Sequence, residues 1–143
     1  MEDSEKKAYK SQSASSKESA TLNMDYSHTE AHQMAYDFSL YLHKKMMKLP
    51  HYEKFTLQKE VRDTIDEMLD ELEEYEKSKT ISHLYKADRL KGRLVRKIRT
   101  CYDLRYSAIN GNAYCYCSKQ LECIGACIGG LIKKAQEEKK NNK

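Results

Sequence analysis

Residues 57–76 read LQKEVRDTIDEMLDELEEYE, and their spacing decides the fold class. Leu57, Val61, Ile65, Met68, Leu69 and Leu72 recur every three or four positions, the period of one face of an α-helix. At about 100° per residue, Asp63, Glu67, Asp70 and Glu74 fall on the opposite side, where they are expected to face solvent.

The same period extends in both directions. Towards the N-terminus, Ala31, Met34, Ala35, Phe38, Tyr41, Leu42, Met46 and Leu49 mark a helix that Thr29 can cap. Pro50 stops it, because the residue before a proline is pushed out of the α region. The next helix is expected to start at His51 or Tyr52. Beyond residue 76, Ser78, Lys79 and Thr80 make a polar turn, and a third helix is expected over 82–106. Its apolar face carries Ala87, Leu90, Leu94, Ile98, Cys101 and Ile109. Lys91 and Arg105 fall on that same side, so they should snorkel or sit at a helix end or subunit contact. Asn110-Gly111-Asn112 is a strong turn signal. A fourth helix over 113–135 has the stripe Ala113, Cys117, Leu121, Ile124, Ile128, Leu131 and Ala135. Gly125 and Gly129 lie four apart on its flank, where another backbone could approach closely.

Long amphipathic helices with short connections imply antiparallel neighbours. The expectation is an all-α, antiparallel up-down-up-down four-helix bundle over residues 28–136. Residues 1–27, rich in Ser, Lys and Glu, are expected to be a disordered polar tail, because they hold too little apolar surface to offset ordering entropy. Residues 137–143 are expected to be a frayed basic end.

Composition narrows the class. A chain of 143 residues supports one domain with a core, and one Pro with five Gly disfavours a many-stranded β fold. No apolar run nears the ~20 residues of a membrane span, so no membrane partner is expected. The polar first ten residues do not read as a signal peptide, and five Cys without one suggest free thiols in a reducing cytoplasm.

The net charge of +4 hides a segregation. Seven acids and no base occupy 66–76, whereas eight bases face two acids over 86–105. Lys86, Arg89, Arg93, Arg96 and Lys97 line the face of the third helix opposite its apolar stripe. Such a face suits a polyanion, because phosphate contacts are cumulative and independent of sequence. Its alternative is a solvated face, or one paired with the acidic helix of the same or a neighbouring chain. Tyr102, Tyr106, Tyr114 and Tyr116 either stack on bases or form amphipathic edges of the core.

Other constellations read as structural. Cys115 and Cys117 point about 200° apart on a helix, and Cys123 and Cys127 share a face, so the five cysteines are expected to be buried structural thiols. A metal or redox protein using them is the competing reading. His28 and His32, four apart in HTEAH, have a spacing that can hold zinc but lack the metalloprotease order, and are expected to be a frayed surface pair. No phosphate loop, dinucleotide fingerprint or nucleophile elbow is present, so no catalytic residue, cofactor or metal is assigned.

The block Lys48-Leu49-Pro50-His51-Tyr52-Glu53-Lys54-Phe55-Thr56-Leu57, followed by Val61-Arg62, resembles the entry to the second helix in the accessory variability determinant family of diversity-generating retroelements. Ile124-Gly125 and Ile128-Gly129-Gly130-Leu131-Ile132-Lys133 are similar to that family's closing Gly-rich helix, with Leu131 in place of its Trp. Ile98-Arg99 and Tyr114 also fall where the family places similar residues. The resemblance spans roughly residues 28–134. It implies a non-catalytic cytoplasmic four-helix bundle, assembled as a homopentamer, that binds a reverse transcriptase and its template RNA and supports mutagenic cDNA synthesis and retrohoming. By resemblance, the nucleic-acid contact falls on Lys86, Arg89, Arg93, Arg96, Lys97 and Arg99. The four-helix-bundle proteins encoded in ribosomal-RNA intervening sequences share the opening motif and are the competing family; a structural oligomer without nucleic-acid binding is the third reading.

Overall fold

The computed structural model describes residues 28–141. Every regular element among them is helical: α1 (Glu30–Met46), α2 (Leu57–Ser78), α3 (Ile81–Asp103) and α4 (Gly111–Asn141), with 3-10 turns at His51–Glu53 and Ser107–Ile109. The expectation of a disordered tail over residues 1–27 lies outside the described residues, as do the last two residues of the expected frayed end.

α1 begins where the sequence places it. Thr29 is extended, and its hydroxyl accepts the His32 N–H at 3.1 Å. α2 begins later than expected, at Leu57 and not at His51 or Tyr52. After Pro50 the chain makes one 3-10 turn, and Thr56 leaves helical backbone at φ −114°, ψ −99°. Glu53 holds this turn: its carboxylate accepts the Thr56 hydroxyl and, at 2.8 Å, the Tyr106 hydroxyl from the α3–α4 connection. Those bonds, Thr56 foremost and Tyr106 next, keep the Glu53 carboxyl below its ordinary value. A tertiary tie thus overrides local helix propensity here.

α3 ends at Asp103, not at 106. Arg105 takes a left-handed φ of 62°, the Tyr106 N–H donates to Cys101 O at 3.1 Å, and the Arg105 N–H donates to Tyr102 O at 3.0 Å. That pair of bonds is a Schellman cap. Ile109 is buried, as its place in the apolar stripe predicted, but it sits in the Ser107–Ile109 turn and not on α3. α4 runs six residues past Ala135, so residues 137–141, expected to fray, stand in helical conformation. Leu131, Ile132 and Ala135 pack on the core edge, and the Gln136 side-chain amide donates to the Tyr85 hydroxyl at 2.9 Å.

α1 and α3 each pack against both α2 and α4, enclosing one core. Phe38, Leu42, Ile65, Leu72, Leu94 and Ile124 are among its fully buried side chains. The polar ties join the start of one helix to the end of its neighbour: His32 to Glu76 across α1 and α2, Lys97 to Glu60 across α3 and α2, and Tyr85 to Gln136 across α3 and α4. Lys91 snorkels across α4: a methyl group added to Gly125 would lie 2.8 Å from its Nζ. Gly129 meets nothing within 4 Å, so no other backbone of the described residues occupies the flank where one was expected.

Candidate nucleic-acid interface

The apolar residues Leu84, Ala87, Leu90, Leu94, Ile98 and Cys101 commit one face of α3 to the core. The helical period then fixes where the bases go. Lys86, Arg89, Arg93 and Arg96 fall within an arc of about 80° and along about 15 Å of helix, directed away from that core. All four are exposed, and none has an acidic partner within 4 Å among the described residues.

The other two expected contacts differ. Lys97 leans towards α2, is half-buried, and pairs with Glu60 at 3.4 Å. Arg99 lies roughly 100° from the centre of the stripe and pairs with Asp103 one turn on, at 3.4 Å. The six residues therefore resolve into four unpaired cations on one face and two engaged ones at its margin. Arg guanidinium groups supply three of the four, and their planar forks match phosphate oxygens in pairs.

The acidic stripe of α2 is exposed as its position predicted. Asp63 pairs with Lys59 at 2.6 Å, whereas Glu67, Asp70 and Glu74 have no basic partner within 4 Å among the described residues.

The tyrosines make contacts within the protein. Tyr102 stacks on Tyr114 at 4.5 Å, Tyr41 lies against Tyr116 at 4.5 Å, and Tyr52 meets Tyr106 edge-on at 6.4 Å. Hydrogen bonding to Tyr52 and to Glu53 raises the Tyr106 hydroxyl above its ordinary range. These rings belong to the edges of the helix packing. The most exposed large apolar side chains of the described residues lie in the α1–α2 connection: Phe55 at 79%, Met47 at 76% and Tyr52 at 73%.

The cysteines divide. Cys101 and Cys117 are fully buried, and burial pushes their thiols up to about 11 and about 12, so they stay protonated. Cys115 and Cys123 are exposed, which corrects the expectation that all five are buried.

His28 and His32 are not a frayed surface pair. His32 is 4% exposed, and both Nδ1 atoms converge on the same Glu76 oxygen, at 3.1 and 2.8 Å. The three donor atoms lie within 4.8 Å of one another, a spacing that can hold a metal ion. Spacing alone could mark the two histidines. It could not reveal the third member, because Glu76 stands 44 residues away from His32, inside a run of seven acids that spacing alone does not tell apart.

No helix of the described residues is long and apolar enough to cross a membrane. Comparisons with protein-family models, with curated proteins and with solved structures returned no match for this chain.

Proposed function

We propose that this chain is a non-catalytic, cytoplasmic nucleic-acid-binding adaptor and that the outward face of α3 is its RNA contact. One observation carries the reading: four exposed, unpaired cations, Lys86, Arg89, Arg93 and Arg96, aligned on one face of a rigid helix. Ordinary surface cations scatter or pair with neighbouring acids, and such pairs contribute only about 0–1 kcal/mol. An aligned, unpaired set costs self-repulsion, which a polyanion relieves. Its resemblance to the accessory variability determinants extends the proposal to template RNA and a reverse transcriptase as partners. The same resemblance suggests a homopentamer, which would repeat the basic face around a ring and multiply its field. Triple charge reversal of Arg89, Arg93 and Arg96 tests the face, with circular dichroism as the control for folding.

A second reading rests on the unpaired acids of α2. Glu67, Asp70 and Glu74 could meet the α3 cations of another copy, giving a structural oligomer that binds no RNA. Light scattering across ionic strength, run beside an RNA shift assay, separates the two. Salt-sensitive assembly with no RNA affinity favours the oligomer.

A further inference from the structure

We infer that His28, His32 and Glu76 form a binding site for a divalent transition-metal ion of the zinc class, clamping the start of α1 to the end of α2. The site stands apart from the α3 face and does not depend on the RNA reading.

The donors are a nitrogen–nitrogen–oxygen set. Nδ1 of His28 and Nδ1 of His32 lie 3.1 and 2.8 Å from one oxygen of Glu76, and the rings are 4.1 Å apart, edge to face. Tetrahedral zinc with bonds of about 2.0–2.1 Å places its ligand atoms roughly 3.3–3.4 Å apart. The two nitrogen–oxygen separations therefore need to widen by only a few tenths of an ångström, and the three donor atoms already lie within 4.8 Å of one another. Three protein ligands leave the fourth position for water.

The surroundings are those a metal ligand set needs. The other Glu76 oxygen accepts the Thr29 N–H at 2.5 Å, which fixes the carboxylate plane. Behind His32, Nε2 lies 3.8 Å from the Glu73 carboxylate, beyond hydrogen-bond reach, and a small shift would bring that carboxylate to the position that orients a ligating imidazole. His32 is buried, so its ring has little freedom to turn away. No Lys or Arg of the described residues pairs with Glu73 or Glu76, so two carboxylates surround the imidazoles without a fixed cation. A divalent ion takes the Nδ1 lone pair of each neutral imidazole, any Nδ1 proton moving to Nε2 or to solvent, and supplies that positive charge. Imidazole with carboxylate favours zinc, nickel or copper over calcium or magnesium.

Cobalt(II) titration of the full chain, stripped of metal and kept reduced, tests the site. One equivalent should bind, producing visible ligand-field bands with no near-ultraviolet thiolate charge-transfer band. Zinc should displace the cobalt and raise Tm. His28→Ala, at a partly exposed position that should leave the fold intact, and Glu76→Gln should each weaken cobalt binding at least tenfold. Glu73→Gln should weaken it by about tenfold, as for other carboxylates behind a ligating histidine. Cys123→Ser with Cys127→Ser should change nothing. The inference is overturned by an absence of binding, by a thiolate band that the cysteine variant removes, or by unchanged affinity in His28→Ala. If Glu76→Gln does not fold, His28→Ala and the absorption signature still decide.

Discussion

Glu76 shows how one side chain can join two helices. Burial pushes its carboxyl up, but the Thr29 N–H, with His32 and His28, outweighs burial and holds it below the ordinary value of 4.5. A carboxyl depressed in the folded state favours folding above its unfolded value, and that contribution is lost as pH falls through the folded one. With zinc-class ions chelated, wild-type protein should therefore lose stability as pH drops below about 4.5. Glu76→Gln should be less stable at neutral pH by roughly 1.5–3 kcal/mol, the range for a lost charged hydrogen bond, and should show a shallower acid slope in urea melts. Gly125 offers a second residue-scale test. Alanine there meets only the flexible end of Lys91, and at Gly129 it meets nothing, so each substitution should add up to about 1 kcal/mol of helix stability. A loss at Gly129, measured by thermal melting, would instead indicate that a second copy packs against it.

At the scale of elements, apolar spacing was the legible part. The stripes of α2 and α3 lie in the core where three-to-four periodicity placed them, and Thr29 marks a boundary through a local capping rule, whereas α1 ends at Met46, before the Leu49–Pro50 step expected to stop it. Leu94 is a direct test: it is fully buried at the middle of α3, so Leu94→Ala should cost about 2–5 kcal/mol in chemical denaturation. Boundaries set by distant partners were not legible. The delayed start of α2 depends on Glu53 meeting Tyr106, which stands 53 residues away. The end of α3 depends on Arg105 adopting a left-handed backbone, which glycine does more readily. Likewise Phe55 sits in the motif that marks the helix entry, yet its side chain is exposed while Leu57 is buried. Periodicity says which face a residue takes only once the helix around it exists.

For the whole molecule, the separation of charge along the chain becomes a separation of faces. α2 turns acids outward and α3 turns bases outward, while the shared core holds the two helices side by side. The basic stripe was legible as a pattern, because residues three and four apart must share a helix face. Which of its members remain unpaired was not, because Lys97 finds Glu60 on a neighbouring helix. This distinction sharpens the proposed RNA contact to Lys86, Arg89, Arg93 and Arg96. If each of the four neutralises one phosphate of single-stranded RNA, affinity should fall with salt at a log–log slope of about −2.8. Between 50 and 200 mM salt that corresponds to a loss of about 50-fold. The decisive measurement is RNA affinity across ionic strength for the wild type and for the Arg89→Glu, Arg93→Glu, Arg96→Glu triple variant. The expected result is a folded variant with at least tenfold weaker binding at low salt and a slope reduced to about −0.7 or shallower. A folded variant that keeps the wild-type affinity and slope, or a wild-type protein that binds no RNA at low salt, would contradict the assignment.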